Sequence, residues 1–313
     1  MAATVLNGKR LIPGRSLAPV FRVLAWSFAA LLSGVFPGST PEVQLCEKRA
    51  AMAGKSIAEG RRFALVELRG DWEWFYSLFQ FKVYWRSVEC CWLCLANTTN
   101  YADFSDNAPW LAQGRSHQGF MADVCGDPGP LAAVPGFHMQ MLKPCSMHTV
   151  NLGLGCDLNG ALLVDAITEF PAQFGGGTTA EKLRQAHDLF KLWARANAMP
   201  HSQPMFTEAS LHISETGYVS HSAKAWNSRV VSAWLSALWT DMSRQHPQDS
   251  NTALRASAVF ALAAFYQLVE ESPRLLSPAQ GALALQWMLQ CLRAYKVIAL
   301  RAAQAGRLMY PSP

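Results

Sequence analysis

Along the second half of the chain, apolar residues recur at helical spacing. Thr178-Thr179-Ala180-Glu181 carries the signature of a capping box, and Leu183, His187, Phe190 and Ala194 follow at helical intervals. Residues 222–245 place Trp226, Val230, Trp234 and Leu238 at four-residue steps, the stripe of a helix that buries one face. A third helix is predicted over 251–271. A fourth opens at Ser277, with Pro278 at its first position, and runs to about Arg307. Upstream of these, a helix is predicted from Met147 to about Phe170, stopped by Pro171 and the turn Gly175-Gly176-Gly177.

The first half lacks this rhythm. Residues 1–16 have no periodicity and read as a disordered start. The segment 17–36 reads as a core helix packed against a sheet. Its apolar run, Val23 to Phe36, is about 14 residues, short of the ~20 needed to cross a bilayer, so no membrane anchor is predicted. After the loop Pro37–Pro41 comes a polar, helical stretch to about Gly60. A strand is then predicted over 62–68, and a helix begins at Asp71, whose carboxylate suits a cap.

Between 95 and 145 the chain is rich in Asn, Asp, Gly and Pro, with Gly126-Asp127-Pro128-Gly129-Pro130 as its strongest breaker. So long a structureless span needs something to organise it, and a metal ion is the cheapest candidate. The expected fold is α+β and mostly helical. Its expected parts are a disordered start (1–16), a core segment (17–94), an irregular Cys-, Asp- and Pro-rich insertion (95–145) and a helical region (146–313).

Composition narrows the function classes. Half of the 313 residues are apolar and 16% are charged, which predicts a large buried fraction or surfaces meant to be covered. The net charge of +5 permits a polyanionic partner such as DNA without a concentrated basic tail to demand one. Part of the excess is local: Lys48, Arg49, Lys55, Arg61, Arg62 and Arg69 all precede Asp71. A solvated face and a phosphate-tracking patch both fit that run. Of the eight cysteines, at 46, 90, 91, 94, 125, 145, 156 and 291, most crowd into one third of the chain, unlike a disulfide scaffold. No secretory leader pattern opens the sequence. A reducing compartment, nuclear or cytoplasmic and not secreted, is therefore expected.

Three groups of residues could carry chemistry. Asp71, at the carboxyl end of the strand 62–68, sits where open α/β sheets meet metals or phosphates, with Asp103, Asp106, Asp157 and Asp165 as further carboxylates. Two-metal phosphoryl transfer needs several such groups to converge, so Asp71 alone is insufficient. Cys91 and Cys94 form a C-x2-C pair that could supply half of a tetrahedral zinc site, with His117, Cys125, Cys145 and His148 as candidate partners; buried free thiols are the competing reading. Cys145 and His148 could share a helix face as a thiolate–imidazole pair, or serve packing or metal ligation instead.

Taken in order, Gly70-Asp71-Trp72-Glu73-Trp74, Cys91-Trp92-Leu93-Cys94, Tyr101-Ala102-Asp103-Phe104-Ser105-Asp106-Asn107-Ala108-Pro109-Trp110 and Cys145-Ser146-Met147-His148-Thr149-Val150-Asn151-Leu152-Gly153 resemble a multicopy transposase-like family of dinoflagellate genomes. Arg22–Ser27 and Lys224–Arg229 look like the same group. That family is distantly similar to CACTA- and Plavaka-type transposases. The resemblance implies an RNase H-like core with Mg²⁺-dependent DNA cleavage and strand transfer. In it Asp71 matches the second acid of a triad, Cys91 and Cys94 match a following Cys pair, and His148 matches a later histidine. The first and third acids of relatives fall before Met1 and after Pro313, so the resemblance implies an incomplete triad. A non-catalytic, zinc-supported module that binds DNA or protein is the alternative expectation.

Overall fold

The computed structural model describes residues 16–41, 44–213, 218–307, 309 and 310. The expected disordered start thus falls, except for Ser16, outside the described residues. The chain divides into two compact units, Met1–Cys145 and Ser146–Pro313. The architecture is α+β and mostly helical, with one two-stranded parallel sheet among the described residues.

The N-terminal unit holds little regular structure. Helix α1 (Ala18–Ser33) ends on Gly34, whose left-handed backbone (φ 76°) sends its N–H to the Ala30 carbonyl. Strand β1 (Leu68–Gly70) pairs in parallel with β2 (Leu142–Pro144), Leu68 facing Leu142 and Gly70 facing Pro144. Helix α2 (Trp72–Phe79) follows β1 directly and ends at Gln80. Its Phe75 and Phe79 anchor an aromatic core with Phe81, Trp92, Phe120 and Phe137. Leu142 and Val124, beyond residue 95, belong to this same core. Asx-type bonds hold the turns between: Asn97 accepts from Thr99 N, Asp103 from Ser105 N and Asp127 from Gly129 N.

Two expectations for this unit are corrected. The strand predicted over 62–68 is ladder-paired only at Leu68–Gly70; the stretch before it is extended and exposed in large part, with Phe63 N–H bonded to the Leu31 carbonyl. The apolar run Phe63-Ala64-Leu65-Val66 resembled a strand, but among the described residues it pairs with no neighbour in a ladder. Helix α1 is no core helix either, since none of its residues is buried. Phe21 meets Trp74 edge-on at 6.5 Å, and most of the helix is half-buried or exposed.

The C-terminal unit is built from five long helices: α3 (Gly155–Glu169), α4 (Thr179–Ala196), α5 (Ala225–Gln245), α6 (Ser250–Glu271) and α7 (Pro278–Gln304). The capping box read at Thr178 and Glu181 closes, and Ser277 forms one with Gln280 as well. Helix α6 packs against both α5 and α7. The core between them contains Leu158, Leu162, Phe190, Phe206, Trp234, Trp239 and Tyr295.

The helix expected from Met147 to Phe170 begins instead as a wide π-type turn, Met147–Leu154, and becomes α-helical only at Gly155. The break falls at Gly153 (φ −93°, ψ −105°), just before a close approach: a Cβ on Gly155 would lie 2.8 Å from the Tyr266 hydroxyl and 3.0 Å from Ser228 Oγ. Two stretches, Met147–Glu169 and Ser250–Glu271, are long and apolar enough to cross a membrane by length and composition; in this unit 61% and 44% of their most apolar windows are buried.

A charged cluster sits inside this helical core. Asp165 is fully buried and pairs with Arg255 (Nε–Oδ2 2.8 Å), accepts from Arg307 (3.0 Å) and accepts from the Tyr310 hydroxyl (2.6 Å). Arg255 also grips both oxygens of Glu169, at 2.7 and 2.6 Å. Every charge in the cluster has an opposite partner, which is the condition for tolerating it in a low-dielectric core.

Candidate functional site

Asp71 stands between β1 and α2, and the local sequence explains why. Gly70 must be glycine because the Trp74 ring lies over it; a Cβ there would overlap the ring. The chain therefore turns sharply, and Asp71, in extended conformation (φ −76°, ψ 172°), becomes the N-cap of α2, its Oδ1 accepting from Trp74 N at 2.7 Å. One residue past the paired end of β2, Cys145 sits at the same end of the two-stranded sheet, and its N–H donates to the Gly70 carbonyl at 2.8 Å. Asp71 thus lies at the carboxyl end of a parallel strand, as its sequence position suggested.

Asp103 accepts from Ser105 N within its own turn and Asp106 is exposed. Asp157 and Asp165 belong to the C-terminal unit, where burial raises both carboxyls above their ordinary range. Among the described residues, no three His, Cys, Asp or Glu side chains converge as a metal-holding group. Asp71 by itself offers Mg²⁺ one carboxylate that already caps a helix, a poor fit to a two-metal centre.

Of the six candidate zinc ligands, five lie in the N-terminal unit and His148 lies in the C-terminal one. His117 is turned toward the backbone, its Nδ1 accepting from Met139 N at 3.3 Å, and its ring lies 4.6 Å from His138. Burial and the neighbouring His138 lower its pKa. Cys145 ends the sheet, whereas His148 lies exposed in the Met147–Leu154 turn of the other unit. Cys125 is buried against the aromatic core and its thiol is pushed up to about 12. The donor set inside the described residues therefore offers two thiols rather than four ligands, short of a closed structural zinc site.

Those two thiols, Cys91 and Cys94, form the most organised polar feature of the N-terminal unit. Bridges at Glu89–Asn97 and Cys94–Gly114 close the loop, and Trp92, 2% exposed, plugs it into the aromatic core. Leu93 N–H donates to Cys91 Sγ at 3.3 Å. Arg115, which nothing in the sequence singled out, crosses beneath the loop: its Nε donates to the carbonyls of Cys91 (3.2 Å) and Cys94 (3.1 Å), and its guanidinium pairs with Glu89 at 2.6 Å. The Arg115 side chain is only 6% exposed, so its charge is weakly screened.

The electrostatics follow from this geometry. The Cys91 thiol donates to the Cys94 sulfur; with the backbone at Ala96 and the Arg115 charge, this draws Cys94 down to about 6 against the penalty of burial. The same bond, with burial, pushes Cys91 up. Cys90 turns away and donates to the Ala96 carbonyl at 3.4 Å. The arrangement can hold a thiolate beside a thiol.

In the C-terminal unit a groove of about 460 Å³ between α5 and α6 is lined by Trp226, Arg229, Phe260, Tyr266 and Glu270. Arg229 is already paired with Glu270 at 2.5 Å and lies over the Trp226 and Tyr266 rings, so the groove offers no unmatched cation for an anionic ligand. Compared with known protein families, curated proteins and solved structures, the chain finds no match.

Proposed function

We propose that this chain is a transposable-element-derived protein that binds DNA through the exposed basic segment of its N-terminal unit and does not perform strand transfer by itself. The observation that supports the binding is the surface from residue 48 to 69. Lys48, Arg49, Lys55, Arg61, Arg62 and Arg69 are all exposed, and they flank the strand that leads into Asp71. Arg61 and Arg69 face Glu59 and Glu67 at 3.9 and 2.9 Å, in pairs open enough for a phosphate to compete with the carboxylate. Extended cation arrays of this kind neutralise phosphates without reading bases.

The ancestral reaction, on the resemblance of the motif order, is Mg²⁺-dependent hydrolysis of a phosphodiester followed by attack of a 3′-hydroxyl, on an RNase H-like core. In this chain Asp71 would match the second acid of its triad. One carboxylate cannot stabilise both the attacking and the leaving oxygen, which argues for binding without cleavage.

The test is duplex binding by fluorescence anisotropy across a salt series. The logarithm of affinity should fall with the logarithm of salt at about 0.9 per neutralised phosphate, and Lys48→Glu/Arg49→Glu/Arg61→Glu/Arg62→Glu should flatten the slope by roughly 3 to 4. Binding that ignores both salt and the quadruple variant would overturn the assignment.

A further inference from the structure

We propose that Cys91 and Cys94 form a thiol–disulfide exchange site that reacts with disulfides of the glutathione type. The proposal stands on four features of the 89–97 loop. The two cysteines lie three residues apart in a C-x2-C turn that the bridges Glu89–Asn97 and Cys94–Gly114 close. The turn is held in that shape from below by Arg115, whose bonds go to the carbonyls of the same two cysteines. The Leu93 N–H fixes the Cys91 sulfur from the side. Both cysteines are half-buried rather than sealed, unlike Cys125, Cys156 and Cys291, so a small disulfide can reach them. A pair needing only a metal would want two further ligands, and none converges on it among the described residues.

The chemistry balances as ordinary exchange. The Cys94 thiolate attacks one sulfur of the small disulfide, whose S–S bond breaks and releases one thiolate; Cys94 is now in a mixed disulfide. Cys91 then loses its proton to solvent and attacks Cys94 Sγ, expelling the second small thiolate. The protein dithiol is oxidised by two electrons, and the small disulfide is reduced to two thiols. Cys94, beside the Arg115 charge, is the attacking residue, and Cys91, anchored by Leu93, is the resolving one.

Reduced full-length protein, exchanged into oxidised glutathione, acid-quenched and alkylated, should yield on peptide mapping an internal disulfide joining Cys91 to Cys94. Cys91→Ser should instead accumulate one glutathione on Cys94, and Cys94→Ser should lose both products. Exposed Cys46 serves as the internal reference, and Cys46→Ser should leave the pattern unchanged. Should a variant fail to fold, the wild-type peptide map decides alone. A map without the Cys91–Cys94 link, or with the link distributed over Cys90 and Cys145, overturns the proposal. So does near-stoichiometric zinc that co-purifies and blocks the reaction until it is chelated, because the pair would then serve a metal.

Discussion

The two units solve the same problem with different means. The C-terminal unit buries long amphipathic helices against one another and matches several of its buried polar groups, Asp165 with Arg255 and Tyr310, Asn159 with Ser228 and Ser232, while His221 stays without a bond among the described residues. The N-terminal unit has one eight-residue helix in its core and hangs its loops on stacked aromatic rings, Phe79 on Phe81 and Phe137 and Trp72 against Trp92. Regular helices satisfy their own backbone and leave side chains free to pack. Irregular chain must spend side chains on holding the backbone, as Asn97, Asp103, Asp127 and Arg115 do. The unit that spends polar side chains this way is also the one that gathers exposed cations and a thiol pair.

The comparison can be broken most sharply at the two cores. Asp165→Ala leaves Arg255 buried with one partner fewer and should cost about 3–5 kcal/mol, read as a lower denaturation midpoint of the C-terminal unit. Phe79→Ala should cost a similar amount, about 3–5 kcal/mol, but through a cavity in the ring stack, and should be followed by loss of near-ultraviolet aromatic signal. If Phe79→Ala costs under about 1 kcal/mol, the aromatic cluster is not what orders that unit.

A smaller effect separates the units by pH. His221, 1% exposed and with neither ring nitrogen bonded among the described residues, lies edge-on to Phe206 in the C-terminal unit, and burial draws its pKa down to about 4. The unfolded chain takes up a proton near pH 6.5, whereas the folded one does so only near pH 4. The stability tied to the neutral ring is therefore present above about pH 6.5 and lost as pH falls toward 4, by roughly 3 kcal/mol in all. His221→Leu should remove that slope in acid denaturation curves; an unchanged slope would place the titrating group elsewhere.

Smaller still are the caps. Thr178→Ala should cost about 1 kcal/mol, and Asp71→Ala about the same, with Asp71→Ser restoring most of the latter. If Asp71→Ser is as damaging as Asp71→Ala, the carboxylate does more than cap α2.

Legibility followed the same division. In the helical unit, the spacing of Leu183, Phe190 and Trp234 and the Thr178 and Ser277 signatures placed elements to within a few residues, because a helix writes its buried face into a fixed period. Only the π-type start at Met147 escaped, since Gly153 and the tight packing at Gly155 are tertiary facts. In the N-terminal unit, a three-residue strand that pairs with another more than seventy positions away leaves almost no local trace, and the apolar run in 63–66 pointed to a strand whose ladder begins only at Leu68. The site was half legible. Gly70-Asp71 and the C-x2-C spacing marked two features that the structure orders, whereas Arg115 and its two carbonyl bonds could not be anticipated from an arginine in a polar loop.

The most direct measurement is a native gel of the protein with a supercoiled plasmid in Mg²⁺ and in Mn²⁺, read for retention and for nicking in the same lanes. Retention that weakens with salt and with the quadruple basic variant, without nicking in either metal, is the expected result. Metal-dependent nicking abolished by Asp71→Ala, or no retention at low salt, would contradict it.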